Sequence, residues 1–306
     1  MLLLAATAAA CASPPATHHH HRHHHHHHPR ATPRPSPSPS ALAPTAARPC
    51  GLSASPPADI QHVVWILMEN RDDGDILGSS QAPYVNQLAQ LCGLAPNYSA
   101  VAHPSLPNYI ALTSGSTQGV SDDGDPSEHP LGAASIFSLL GGGWAALDEG
   151  MPGNCDHSSG GEYATKHNPA VYYTNIASEC AGQDRPLGSP PDISARFTFV
   201  TPNLCDDMHD CSTSQGDTWL SREVPQLIAT PQYQSGQTVI FITWDEGTAN
   251  QLVPLLAISP SVPAGTRPSA AFSHYSLLRT TEELLGLSPL LGGAANAPSM
   301  FSAFNL

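Results

Sequence analysis

Residues 60–70 read Ile-Gln-His-Val-Val-Trp-Ile-Leu-Met-Glu-Asn. The run Ile60–Met68 is apolar at odd and even positions alike and rich in β-branched side chains. A strand that buries one face alternates; a strand with no alternation is covered on both faces, as in a parallel sheet. Glu69 and Asn70 follow at its carboxyl end. Outward from this run, Arg196–Val200 and Thr238–Thr243 read as short buried strands and Leu252–Ile258 as a further one. Ala82–Leu91 spaces Val85, Leu88 and Leu91 as a helix does. Leu106–Leu112 is a second helix, with Pro107 tolerated in its first turn. Asp217–Leu227 is a third, with Asp217 as its N-cap, and Tyr275–Leu285 is an amphipathic fourth, stopped by Gly286. Strands alternating with helices predict an α/β domain with a mainly parallel sheet. Residues 115–195 show no clear periodicity and are expected to form an insertion or cap near the site.

Ligands of open α/β sheets bind at the carboxyl ends of the strands. Glu69 and Asn70 follow the first strand. Asn203, Asp206, Asp207 and His209 follow the second, and Asp245, Glu246 and Gly247 the third. Ser105 lies where a helix begins, and His274 precedes the last long helix. A serine hydroxyl is a weak nucleophile that a metal ion activates, a helix start favours anions, and a dication beside it balances a phosphoryl transition state. His62, inside an apolar strand, reads as structural. Gly141-Gly142-Gly143 lacks the strand–helix context and the lysine of a phosphate-binding loop and reads as a flexible turn.

The chain has 306 residues, with 11 basic against 25 acidic side chains and a net charge of −14. Four of the arginines fall in the first 49 residues, where no acid occurs, so residues 50–306 carry −18. Such a surface repels phosphate backbones and excludes general nucleic-acid binding. An anionic substrate then needs buried positive charge, and a bound cation is the natural source where the only lysine is Lys166.

Met1–Ala10 is apolar, too short to span a bilayer, and reads as the core of an export signal whose basic start lies upstream. Residues 8–11 resemble a lipoprotein cleavage site, which makes Cys11 a candidate for a lipid anchor. Ten histidines fill residues 18–28 with Arg22 among them, followed by a Pro-rich stretch. Residues 12–49 are therefore expected to be a disordered linker that binds transition metals loosely, with the catalytic domain over 50–306. Beyond Cys11 an even six cysteines remain, which suits three disulfides in an oxidising compartment. Neighbours in sequence suggest Cys50–Cys92, Cys155–Cys180 and Cys205–Cys211 among the fifteen pairings that six cysteines allow.

Five separated stretches, HVVWILMEN (62–70), AHPSLPNYIALTSG (102–115), FVTPNLCDDMHDCS with GDTWL (199–212, 216–220), FITWDEG (241–247) and SHYSLLRTTEELLGL (273–287), resemble the bacterial phosphoesterase family. That family holds secreted acid phosphatases and phospholipases C, within the alkaline-phosphatase-like superfamily; the likeness is greatest to the secreted mycobacterial type of acid and phosphoinositide phosphatase. The resemblance implies a three-layer α/β/α domain. It implies Glu69, Asn70, Ser105, Asp245 and Glu246 as metal ligands, with Ser105 also the nucleophile. Pro-Ser-Leu-Pro-Asn (104–108) is similar to the Lys-Thr-Phe-Pro-Asn stretch of nucleotide pyrophosphatases, whose threonine attacks phosphorus. Asp207, His209 and His274 would face the phosphate, and Lys166 and His167 would contact substrate from the cap. Zinc phosphatases of the superfamily carry an Asp-His pair where this chain has Asp245-Glu246, and an all-oxygen set suits one Ca²⁺, Mg²⁺ or Mn²⁺ better than zinc. The resemblance implies a secreted or cell-surface phosphomonoesterase. The alternatives are a phospholipase C-type diesterase, disfavoured because the chain stops at Leu306 soon after the last motif, and a non-enzymatic metal binder using the histidine tract.

Overall fold

The apolar run forms β1 (His62–Met68), buried from Val63 onward. The computed structural model describes residues 43–306. The export segment, Cys11, the histidine tract and most of the expected linker lie outside the described residues. Eight more strands follow: β2 (Gly93–Ala95), β3 (Tyr98–Ser99), β4 (Trp144–Asp148), β5 (Asp184–Pro186), β6 (Phe197–Thr201), β7 (Thr238–Trp244), β8 (Leu255–Ile258) and β9 (Phe272–Ser273). Seven form one sheet in the order β2-β8-β7-β1-β6-β4-β5. β1 is central and runs parallel to both neighbours, with Trp65 opposite Phe199 of β6 and Phe241 of β7. β4 and β5 extend the parallel part, and β8 alone in the sheet runs against its neighbours.

The helices are α1 (Asp73–Ile76), α2 (Pro83–Leu91), α3 (Ser105–Ser114), α4 (Ile136–Leu140), α5 (Ala177–Gln183), α6 (Thr213–Ala229), α7 (Pro231–Gln234) and α8 (His274–Leu284). α2 packs on α6 and α3 on α8. Every residue of β7 is buried, so both faces of the sheet are covered, which makes this the expected α/β fold. Trp65 shows how one face is locked. Its ring meets Phe197 edge-on at 4.8 Å, and its Nε1 donates to Thr281 Oγ1 of α8 at 3.0 Å. Among the described residues, no helix is long and apolar enough to cross a membrane.

Several expectations change. Residues 115–195 are not only a cap, because they supply β4 and β5 to the sheet; neither strand carries the β-branched residues that marked the expected strands. Residues 43–49 belong to the packed body rather than to a linker: Thr45 and Arg48 form a bridge, and Tyr233 Oη donates to the Pro49 carbonyl at 2.9 Å. α6 starts earlier than expected, with Ser212 Oγ accepting from the Gln215 amide at 3.3 Å. Asp217 lies inside α6 and caps a different helix, since its carboxylate accepts from the Tyr84 and Val85 amides at the start of α2 at 3.0 and 2.8 Å. The glycine run turns α4 into β4, with Gly141 and Gly142 at φ 51° and 82°. His62 bonds the Ala195 carbonyl at 2.8 Å, at the amino end of β1 and away from Glu69. The cysteines pair as Cys50–Cys92, Cys155–Cys180 and Cys205–Cys211.

Candidate active site

Three neighbouring parallel strands end side by side, and each delivers a carboxylate. Glu69 leaves β1, Asp207 comes from the loop after β6, and Asp245 leaves β7. All three are buried. The backbone ties them together. The Glu69 amide donates to the Asp207 carbonyl at 2.8 Å, and the Asp245 amide to the Met68 carbonyl at 2.9 Å. Asn70 adopts a left-handed φ of 53°, which turns its own amide onto Asp245 Oδ1 at 3.1 Å.

Glu69 is the hub. Its Oε2 accepts from Ser105 Oγ and from Asn70 Nδ2, both at 3.1 Å, and its Oε1 accepts from Tyr109 Oη at 2.6 Å. Ser105 and Tyr109 sit one turn apart on α3, so the helix presents both hydroxyls to the same carboxylate. Burial first, then the charges of Asp245 and Asp207, hold Glu69 well above the usual carboxylate range. Burial likewise pushes Asp207 up to about 8 and, with Glu246 adding, Asp245 up to about 7.

A short 3₁₀ turn, Thr165–His167, closes the other side. His167 stacks on Tyr109 at 5.3 Å. Its Nε2 lies 3.2 Å from Glu69 Oε1 and its Nδ1 3.2 Å from Asp207 Oδ2. Neither His167 Nε2 nor Asp207 Oδ2 is aligned for a hydrogen bond, and Asp245 Oδ2 is also buried without a partner. Burial, then Lys166 and His209, keeps the His167 imidazole well below its usual range and hence neutral. Lys166 Nζ donates to His209 Nε2 at 3.1 Å and to Asp123 Oδ2 at 3.0 Å. His209 Nδ1 must then carry the proton it shares with Asp210 Oδ1 at 2.7 Å.

The expected residues do not all converge. His274 does not face an open site. It is buried, its Nε2 donates to the Asp245 carbonyl at 2.6 Å and its Nδ1 accepts from Tyr98 Oη at 2.9 Å, and burial lowers its pKa to about 4. Both ring nitrogens are occupied, so it positions Asp245. Glu246 points to the rim, with Oε2 2.7 Å from the exposed ring of His103. Of the expected ligand set, Glu69, Asn70, Ser105 and Asp245 are joined by hydrogen bonds, while Glu246 Oε2 is engaged by His103. It is also not purely oxygen, because Glu69, His167 and His209 bring donor atoms within 4.8 Å of one another. Clustered carboxylates, one lysine and three unpartnered buried polar atoms fit a divalent cation, which would supply the missing positive charge.

Sequence reading missed four residues that build the site. Arg71 donates to the Asn70 and Cys211 carbonyls at 2.7 and 2.8 Å and to Thr213 Oγ1 at 3.0 Å, tying β1 to the Cys205–Cys211 loop. Gly216 lets α6 press on that loop, since a Cβ there would overlap Met208 and the Asp206 carbonyl. Asp72 accepts from Thr248 Oγ1 and the Ala249 and Asn250 amides at 2.9–3.0 Å, which shapes the turn after Glu246. Adjacency to Glu69-Asn70 was the available signal for Arg71 and Asp72. Asp123, the fourth, accepts the Leu106 amide at 3.0 Å on Oδ1. It comes from the stretch without periodicity, where nothing marked it.

The sequence profile of the phosphoesterase family matches residues 76–288. A phosphatidylinositol-3-phosphatase of Mycobacterium tuberculosis is 33% identical over 255 residues, covering 81% of this chain and 84% of its own. A phosphate-repressible acid phosphatase of Penicillium chrysogenum is 27% identical, covering 81% of this chain and 65% of its own, so the chain spans under two thirds of that longer relative. Among solved structures, an alkaline phosphatase superfamily protein from Vibrio parahaemolyticus superposes with a TM-score of 0.54 at 13% identity, covering 87% of this chain and 76% of its own. The lipoteichoic acid synthase of Listeria monocytogenes gives 0.57 at 10%, covering 78% and 76%. These likenesses show the fold.

Proposed function

Because the chain belongs to the phosphoesterase family, whose named relatives are hydrolases of phosphoric esters, we propose that it is a metal-dependent phosphomonoesterase that works through a phosphoserine at Ser105. The observation that carries this reading is the Ser105 hydroxyl, buried at the first residue of α3 and bonded to Glu69 Oε2 at 3.1 Å. Ser105 Oγ attacks phosphorus while its proton has an acceptor in Glu69. The Leu106 amide in the first turn of α3 and Lys166 Nζ, both held by Asp123 in the resting site, receive the phosphoryl oxygens. The ester oxygen leaves as an alcohol, with its proton supplied from the Lys166–His209 pair. Water then attacks the phosphoserine and returns a proton to the Lys166–His209 pair, the Oγ–P bond breaks, Ser105 regains its proton from Glu69 and inorganic phosphate departs. Glu69, Asn70, Ser105 and Asp245 would hold a divalent cation, which would supply positive charge against the negative charge that develops there. Asp207 and His167 flank Glu69, and His274 holds Asp245 through its backbone carbonyl.

The substrate class follows the relatives: small phosphate monoesters, with phosphoinositides among them. Three disulfides and an apolar leader support export to an oxidising compartment. The test is acid-quench mass spectrometry after mixing the protein, a monoester and a divalent cation. Label on Ser105 is the expected result. Label on a histidine, or turnover unaffected by exhaustive chelation, overturns the reading. A parallel panel of diesters separates it from a phospholipase C-type activity.

A further inference from the structure

The two donors best placed to receive a phosphoryl group are already engaged. Asp123, on the loop between α3 and α4, accepts the Leu106 amide on Oδ1 and Lys166 Nζ on Oδ2, each at 3.0 Å. Leu106 follows the candidate nucleophile, and its amide is one of those that a helix start leaves free for an anion. Lys166 is the only lysine in the chain. A carboxylate bridging this pair presents two anionic oxygens on one atom, as a bound phosphoryl group does. The surroundings do not otherwise favour an acid here. Glu246 is raised by burial, and Asp123 is among the charges that raise it further. The Asp123 side chain is 31% exposed, and Gly124 follows it, so the carboxylate can swing to solvent without unpacking the core.

We propose that Asp123 is an affinity-determining residue: its carboxylate occupies the phosphoryl position of the resting site, and the substrate's phosphoryl group displaces it from Leu106 and Lys166. The inference rests on the reading of Ser105 and its helix start as the reaction centre. Binding is an exchange of one anion for another on the same two donors. Because Asp123 returns when the site empties, it limits affinity for substrate and product alike. It thereby speeds the departure of inorganic phosphate, which offers the same oxygens as the substrate.

The experiment is calorimetric titration of the full chain with inorganic phosphate at saturating divalent cation, for the wild type, Asp123→Asn, Asp123→Ala and Asp123→Ala with Lys166→Ala. Asn keeps an acceptor for the Leu106 amide and loses the charge; Ala loses both. Removing a like charge a few ångströms from a bound anion should tighten phosphate binding roughly tenfold in Asp123→Ala and by less in Asp123→Asn. The Lys166→Ala double variant should lose that gain. KM for a chromogenic monoester should fall in parallel with the phosphate dissociation constant, with no rise in kcat. Phosphate binding that is unchanged or weaker in Asp123→Ala overturns the proposal and makes Asp123 a support for Lys166. Absence of turnover in the wild type would count against the phosphatase reading, while the phosphate titration still decides the role of Asp123.

Discussion

Ser105 differs from the hydroxyls around it in what it touches. Thr113 and Ser114 lie at the other end of α3 and donate to the Tyr109 and Ile110 carbonyls at 2.8 and 2.9 Å, so their oxygens are committed to the helix. Ser105→Ala should lower kcat by roughly three orders of magnitude or more with the fold intact, while Ser114→Ala should leave kcat nearly unchanged. Steady-state kinetics and circular dichroism check both. His274 makes the opposite case. Replacing it with Gln should cost about 1–3 kcal/mol in denaturant unfolding, because buried partners are left unsatisfied, and should leave the pH limbs of kcat in place. A shift of a limb would return His274 to the chemistry. The sequence made these residues candidates through motif position alone. It could not show that the His274 nitrogens are both taken by Tyr98 and Asp245, since those partners lie 176 and 29 residues away.

Elements were legible where they are long and periodic. β1 and β7 announced themselves by unbroken apolar runs, and α2 and α8 by their spacing. β4 and β5 did not, because Trp-Ala-Ala-Leu-Asp has no β-branched residue and Asp-Arg-Pro no apolar run. Asp217 was legible as a capping residue and illegible as to which helix it caps. It sits on α6 and closes the start of α2, so Asp217→Ala should destabilise the protein by about 1–2 kcal/mol in urea unfolding, loosening the contact between two helices rather than fraying one. At the site, Arg71 joins β1 to the Cys205–Cys211 loop through three bonds. Arg71→Ala should weaken cation affinity at least several-fold, measured by titration of the chelated protein, and Arg71→Lys should restore little of it because one ammonium cannot reproduce the planar fork.

For the whole molecule the governing quantity is uncompensated negative charge. Asp245 and Asp207, with folded pKa values of about 7 and 8, are easier to fold protonated. Such groups stabilise fully below the unfolded carboxylate range, and their contribution is lost as pH rises through the folded values. The buried imidazoles of His167 and His274, with lowered pKa values, are neutral when folded, and unfolded imidazole has lost its proton by about one unit above ~6.5, so both are silent from about pH 7.5. The melting temperature of chelated protein should therefore fall between pH 7.5 and about 8.5, by roughly 2–4 °C for each kcal/mol lost. Divalent cation should flatten that slope, and a slope that ignores the cation would argue against a metal at Glu69. One covalent feature carries a consequence for when activity can arise. Cys205 and Cys211 close a ring that holds Asp207 and His209, whereas β1 and β7 contain no cysteine. A newly made, reduced chain can raise its sheet yet lacks the staple that fixes two of its working groups. Reduction of that ring should then silence turnover before the sheet melts, which activity and circular dichroism followed together against rising dithiol would check.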